Sequence, residues 1–315
     1  MTDTLTAPLA RTQVTRHLTG PQDLDHALIA RLLEGAARFE AGGTDPDRLR
    51  RRQLATIFYE PSTRTRLSFE AAMHRLGGQV LSAQSAGTTS SAAKGELLED
   101  AIRVVSAYAD TIVLRHPEQG SAARAARVAT VPVISAGDGP GHHPTQALVD
   151  LYTIKKEVGR LDHLRVGLAG DLRYGRTARS LAVLLTRFEG NELVLITPPA
   201  LRMGEDVVGF VRAHLRVQET TDLADAAPTL DVLYQTRIQA ERFESAEEYE
   251  RYRGVYVVGA ELMRRLPEHA ILMHPLPRAG EIDPPVDADP RAAYFRQAHN
   301  ALWVRMAVLD WAMAG

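Results

Sequence analysis

Apolar positions switch between two spacings along most of the chain. From Asp23 to Ala41, Leu24, Leu28 and Leu32 recur every fourth residue, which predicts a helix with one buried face. Short apolar, β-rich runs at Leu54–Tyr59, Gln79–Ser82, Thr111–Leu114 and Val131–Ser135 predict strands. Helical patterns at Thr65–Leu76, Leu97–Tyr108 and Ser121–Val128 lie between them. Such alternation implies parallel strands, because a crossover helix returns the chain to the same end of the sheet.

A long helical pattern, His143–Val158, leads into a second series. Its predicted strands are Leu164–Ala169, Leu193–Thr197, Val232–Gln235, Val255–Val258 and Ile271–Met273. Its predicted helices are Thr177–Phe188, Glu205–Leu215 and Ala246–Tyr252. The expected architecture is therefore α/β, with two doubly wound domains, each a parallel sheet flanked by helices. They are expected to span residues 1–152 and 153–290, with the join near 150–160. The pattern Arg291–Met313 carries Tyr294, Ala298, Leu302 and Met306 on one stripe. It is long enough for a C-terminal helix, within 291–315, that returns to the first domain. The stretch Ser82–Ala93, rich in Ser, Ala, Gly and Thr, has too little apolar mass to pack by itself and is expected to be a mobile loop.

The 315 residues are enough for two ordinary domains, and 45% apolar with 24% charged residues is globular composition. A net charge of −2 gives no global basic field for nucleic acid or a membrane surface. No apolar run is long enough to span a bilayer. The opening MTDTLTAPLART lacks the basic start and apolar core of a signal peptide. The absence of cysteine excludes disulfides and thiolate metal sites. The expectation is a soluble cytoplasmic protein. One bias is sharper: of 37 basic residues only Lys94, Lys155 and Lys156 are lysine. Lys94, in the small-residue loop, is either an ordinary surface lysine or one kept for its chemistry.

The candidate chemistry follows the predicted strands, where open α/β sheets place their sites. Glu60-Pro61-Ser62-Thr63-Arg64-Thr65-Arg66 lies between a strand and a helix. A helix start leaves backbone N–H groups unpaired and adds partial positive charge, which suits an anion such as phosphate. Arg64 and Arg66 add fork-shaped cations. A plain helix cap is the competing reading, but a cap explains one hydroxyl, not three hydroxyls and two arginines. Ser90, Ser91 and Lys94, then Arg115-His116-Pro117, then Gly137–Gln146 follow the next three strands. Four such strand ends read as one crevice. His116, His143 and His274 each precede proline and so sit at turns or helix starts. They are either satisfied turn histidines or, for His142 with His143, a metal site, although no metal-ligand spacing supports that. Gly170–Arg176 lacks the GxGxxG spacing of a dinucleotide loop. Arg176 opens a helix there. Arg237 and Gln239 project to one side if their strand persists. Each arginine taken singly reads as a surface ion pair; together they suit a diacid. His274-Pro275-Leu276-Pro277-Arg278 is a rigid, proline-fixed loop.

These motifs, in order, resemble the catalytic chains of the aspartate carbamoyltransferases, within the aspartate/ornithine carbamoyltransferase family. The resemblance runs over roughly residues 15–315 and rests on FYEPSTRTRLSFE, SSAAKGE, VLRHP, AGDGPGHHPTQALVDLYTI, GDLRYGRTARSL, TRIQAERF and HPLPR. It implies transfer of a carbamoyl group from carbamoyl phosphate to the amine of L-aspartate, early in pyrimidine synthesis, without cofactor or metal. The first domain is implied to bind carbamoyl phosphate and the second L-aspartate. Ser62, Thr63, Arg64 and Thr65 are implied to hold the phosphate. Thr65, Arg115 and His143 are implied to meet the carbonyl oxygen, and Gln146 with the carbonyls around Pro275 and Leu276 the carbamoyl amino group. Arg176 is implied to take the α-carboxylate of aspartate, and Arg237 with Gln239 the β-carboxylate. Ser90 and Lys94 are implied to reach a neighbouring subunit's site, making a trimer, with the adjacent Ser91 competing for the serine role. A regulatory or dihydroorotase-like partner chain is a further possibility that the family raises. The ornithine branch carries a cysteine in the loop resembling HPLP, absent here, and Arg237 would repel a cationic acceptor. A silent homologue predicts lost site residues, whereas each matched position keeps suitable chemistry. A plain phosphate binder is the remaining alternative.

Overall fold

The structure is a computed structural model that describes residues 16–86, 95–238 and 245–313. The first sheet contains β1 (Gln53–Phe58), β2 (Gln79–Gln84), β3 (Thr111–His116) and β4 (Val133–Asp138). All pairings are parallel and the spatial order is β2-β1-β3-β4. Helices α1 (His26–Glu40), α2 (Thr63–Arg75), α3 (Leu98–Ser106) and α4 (Ser121–Val128) cover it.

Helix α5 (Pro144–Val158) carries the chain to the second sheet. Its ends are set locally: proline opens it, where a missing N–H costs nothing, and Gly159 closes it at φ 86 with its N–H on the Lys155 carbonyl. Nearly every residue from Pro144 to Ile154 is buried, so α5 lies inside the molecule. Beyond it come β5 (Arg165–Ala169), α6 (Arg176–Leu185), β6 (Glu192–Ile196), α7 (Glu205–Arg212), β7 (Arg216–Thr220), α8 (Leu223–Ala226) and β8 (Val232–Gln235). The series ends with α9 (Ala246–Glu250), α10 (Ala260–Arg265) and β9 (Ile271–Met273). This sheet is also wholly parallel, in the order β7-β6-β5-β8-β9. The final helix, α11 (Tyr294–Met313), returns to pack on α1, α2 and α5. The expected α/β class, with two doubly wound sheets and a returning C-terminal helix, is thus the observed fold.

One apolar core runs through both halves, from Leu54, Phe69 and Ile134 through Leu148 and Leu151 to Leu168, Leu181 and Met273. Smaller clusters fill the outer faces, around Ile102, Ile112 and Val133 in the first sheet and around Val194, Leu233 and Leu272 in the second.

Two expectations need correction. Val255–Val258 is not a strand: Val255 and Val257 are exposed, and only Val258 forms an isolated bridge, to Ile282. Strand β7 was not expected. Its sequence, RVQET, occupies a sheet edge with no buried residue, so it lacks the apolar signal of a strand. In addition, Ser82–Gln84 belongs to β2, and residues 87–93 of the expected mobile loop lie outside the described residues.

Each sheet reverses its winding once. In the first, the chain leaves β1 for β2 on one side and resumes at β3 on the other. In the second, it leaves β5 for β6 and β7, then resumes at β8. The crevice beyond the carboxyl ends of strands at such a switch point is where open α/β sheets bind ligands. Ser62–Thr65 follows β1, Arg115 is the last residue but one of β3, Gly170–Arg176 follows β5 and Thr236-Arg237 follows β8. These are the segments that the motifs single out.

Candidate active site

The two switch points share one cleft of about 910 Å³. The first half contributes Ser62, Thr63, Arg64, Thr65, Arg115, His143 and Gln146. The second contributes Arg176, Arg237, Pro275 and Leu276. Of the expected site residues, only Ser90, Lys94 and Gln239 are not placed there; they lie outside the described residues.

Ser62 occupies the N-cap position of α2, yet its side chain makes no capping hydrogen bond. The competing cap reading therefore fails. The Ser62 hydroxyl and the first turn of α2 border the cleft, as an anion site needs. Arg66 does not share in it. Its guanidinium pairs with Glu70 at 3.0 Å and donates to Ser82 at 3.3 Å, while Thr56 donates to the same carboxylate. An i,i+4 Arg–Glu pair is a local helix contact that outcompetes reach into the cleft.

Arg115 and Arg176 come from opposite halves and meet over Glu60. Arg115 Nε and Arg176 Nη1 each lie 3.4 Å from Glu60 Oε2. Arg176 also donates to the Gly139 carbonyl at 2.8 Å, and Arg115 to the Ala136 carbonyl at 3.3 Å. Burial, then repulsion from Arg176 and Arg64, lowers Arg115 to about 9, so it stays cationic at neutral pH. Gly137, at φ +121, makes this approach possible: a Cβ there would stand 3.1 Å from Arg115 Nη1 and from Arg176 Cζ.

His143 occupies the N-cap position of α5 and is buried, its backbone N–H donating to Ser180 Oγ at 2.8 Å. Burial, reinforced by Arg176, Arg115 and Arg305, holds its pKa well below the ordinary value. The imidazole is therefore neutral and can offer one N–H without bringing a charge. His142 also meets Ser180, through Nδ1 at 3.2 Å. No cluster of three metal-ligating side chains occurs among the described residues. His116 is a turn histidine: its Nδ1 accepts from the Glu118 N–H at 3.1 Å and lies 2.8 Å from Ser121 Oγ.

The loop after β9 is held by His274. Its Nδ1 accepts from the Leu276 N–H at 2.8 Å, so Nε2 carries the proton and donates to Glu281 at 2.7 Å. This bond holds Leu276 at φ 53, a strained conformation for a branched residue. Arg305 of α11 also lines the cleft. It is buried with its guanidinium 5.0 Å above the Phe69 ring, and burial lowers it to about 9. Glu60, Gly137 and Arg305 were not singled out from sequence. The signal for Glu60 was available, since an acid preceding a basic anion loop has cations within reach.

Five arginines thus border one cleft in a chain of net charge −2. Two α/β units with facing switch points and a cation-lined cleft between them define a two-substrate enzyme of the doubly wound class. The chain belongs to the aspartate/ornithine carbamoyltransferase family. The family model for the carbamoyl-P binding domain matches residues 16–156, and that for the Asp/Orn binding domain matches residues 162–312. An aspartate carbamoyltransferase catalytic subunit from Thermococcus onnurineus is 55% identical over 257 residues, covering 81% of this chain and 82% of its own. Aspartate carbamoyltransferase 1 of Pisum sativum, a chloroplastic protein, is 50% identical over 299 residues, covering 93% and 78%. Among solved structures, the M. jannaschii aspartate transcarbamoylase catalytic subunit superposes with a TM-score of 0.87 at 45% identity, covering 95% of this chain and 98% of that one. Aspartate transcarbamoylase from Trypanosoma cruzi, in complex with carbamoyl phosphate and aspartate, gives 0.88 at 39% identity, covering 95% and 97%.

Proposed function

We propose that this protein is an aspartate carbamoyltransferase, transferring the carbamoyl group of carbamoyl phosphate to L-aspartate to give N-carbamoyl-L-aspartate and phosphate, in de novo pyrimidine biosynthesis. The observation that carries this is the division of cations across the cleft: Arg64 and Arg115 on one switch point, Arg176 and Arg237 on the other. Two arginines on the acceptor side suit a dicarboxylate and disfavour ornithine.

In this reading residues 1–152, with the returning helix in 291–315, bind carbamoyl phosphate, and residues 153–290 bind aspartate. Ser62, Thr63, Arg64 and Thr65 hold the phosphate. Thr65, Arg115 and neutral His143 receive the carbonyl oxygen as negative charge grows there. Gln146 and the carbonyls of Pro275 and Leu276 take the carbamoyl amino group. Arg176 takes the α-carboxylate and Arg237 with Gln239 the β-carboxylate. The aspartate amine nitrogen bonds to the carbamoyl carbon, the carbon–oxygen bond to phosphate breaks, and the amine proton leaves with the phosphate. The cleft contributes alignment and fixed charge, without a covalent intermediate.

Ser90 and Lys94 complete a neighbour's site in a homotrimer, and a regulatory or dihydroorotase-like chain is a candidate partner. A cytoplasmic location fits the absence, among the described residues, of a helix able to cross a membrane. The test is carbamoylation by purified protein, with aspartate and ornithine offered separately. Carbamoyl-aspartate without citrulline supports the reading; citrulline, or no product, overturns the acceptor assignment. Shared sites are tested by mixing two inactive variants, Lys94→Ala and Arg64→Ala: recovered activity supports subunit sharing.

A further inference from the structure

Below the cleft lies a buried carboxylate that none of the roles above uses. Asp150, on α5, is fully buried. Its Oδ1 accepts from Gln146 Nε2 at 2.8 Å and from Gln297 Nε2 at 2.7 Å, and its Oδ2 accepts from the Tyr234 hydroxyl at 3.0 Å. The donors come from three elements: α5 itself, α11 and β8. Gln297 is fixed at its other end, where Oε1 accepts from the His274 N–H at 2.9 Å. The network thus links the helix carrying Gln146 to the loop carrying Leu276.

An ionised carboxylate can only accept. It therefore dictates which end of the Gln146 amide faces it: Nε2 turns inward and Oε1 is left for the cleft that Gln146 lines. A carbamoyl group presents an NH2, a donor, where an acetyl group of the same shape presents a methyl. An amide oxygen at that point recognises the first and gains nothing from the second. We propose that Asp150 is a positioning residue that holds the Gln146 amide oxygen toward the cleft and thereby selects a carbamoyl over an acetyl donor. This rests on the transferase reading above.

The ionisation of Asp150 is finely poised. Burial pushes the carboxyl up to about 7, while the bonds from Gln146, Gln297 and Tyr234 and the charge of Arg305 on α11 act against burial. Tyr234 stays neutral, its pKa raised well above the ordinary value by burial and by Asp150. Protonation makes the Oδ1 shared by Gln146 and Gln297 a weaker acceptor and so loosens its hold on the Gln146 amide, which is then freer to turn over. Selectivity for carbamoyl over acetyl phosphate then falls as pH drops through neutrality.

The experiment compares carbamoyl phosphate with acetyl phosphate as donors to aspartate and reads the ratio of their kcat/KM values. The ratio cancels titrations common to both reactions, including that of the aspartate amine. Asp150→Asn is expected to lower kcat/KM for carbamoyl phosphate roughly tenfold or more while changing that for acetyl phosphate by less than about threefold. Equal loss on both donors assigns Asp150 a structural role and overturns the proposal. A second arm does not depend on the folding of that variant. In the unmodified protein the ratio is expected to fall as pH drops through about 7, and Tyr234→Phe, which removes one donor to the ionised form, is expected to move that fall to higher pH. A ratio that stays flat with pH in both proteins overturns the proposal. Transfer of neither acyl group by the unmodified protein instead overturns the function above, and this inference with it. Transfer of both without discrimination overturns only the role of Asp150.

Discussion

Arg115 of β3 and Arg176 at the start of α6, from opposite halves of the molecule, share a single carboxylate oxygen of Glu60, each at 3.4 Å. The contact spans the cleft and tempers the repulsion that each guanidinium exerts on the other. Glu60→Gln keeps the shape and removes the charge. At 3.4 Å these are ion pairs rather than short hydrogen bonds, so the expected loss in kcat/KM is about tenfold, or about 1.4 kcal/mol. Steady-state kinetics with both substrates varied provides the check; an unchanged value removes Glu60 from the site.

Gly137 stands against the same two guanidiniums. Gly137→Ala must hold a backbone that L residues avoid and, in it, press its Cβ on both arginines. Activity is expected to fall at least tenfold, with a stability cost of about 1–3 kcal/mol. Denaturant unfolding and turnover assays together separate the two effects. Full activity would show that Arg115 and Arg176 are free to shift.

Arg237 lies on the acceptor side of the cleft. Arg237→Ala is expected to raise the aspartate requirement by roughly 10- to 100-fold, the range for one lost charge-assisted contact, with little change for carbamoyl phosphate. Equal effects on the two substrates contradict its assignment to the β-carboxylate.

His143 is buried and held neutral, with its pKa well below 6.5. The unfolded chain binds the proton first as pH falls, so the stability linked to a neutral His143 is lost below about pH 6.5. His143→Gln cannot titrate. Its stability deficit relative to the unmodified protein is expected to shrink as pH drops from about 7 to about 5. Thermal unfolding of both proteins across that range measures it, and a constant deficit contradicts a depressed pKa.

His274 ties the Leu276 N–H to Glu281. His274→Ala removes both bonds from a part-buried place, leaving Glu281 the Ala279 N–H, and is expected to cost about 1–3 kcal/mol of stability as well as turnover. If turnover is unaffected, the Leu276 carbonyl does not contact substrate.

The parts of the fold most legible in the sequence were those with strong periodicity. Both core sheets and the returning helix rest on apolar patterns that burial enforces. Strand β7 was illegible because an edge strand with polar faces carries no such pattern. Val255–Val258 misled in the opposite direction, as β-branched residues exposed in a loop. Residue type and position after a strand sufficed to assign Arg64, Arg115, Arg176 and Arg237 to one cleft. Arg66 was misread because its partner Glu70, one helical turn away, was not weighed against the cleft. Asp150 gave no signal of its own, since its role depends on Tyr234 and Gln297, 84 and 147 residues distant in the chain.

Helix α11 supplies Val304, Val308 and Leu309 to the core beside Ile29, Leu33 and Phe69 of the first half. During synthesis, the amino-terminal half therefore leaves the ribosome before the segment that seals it exists. Its apolar surface stays open until α11 itself has been translated. The two halves cannot mature one after the other; the first finishes last.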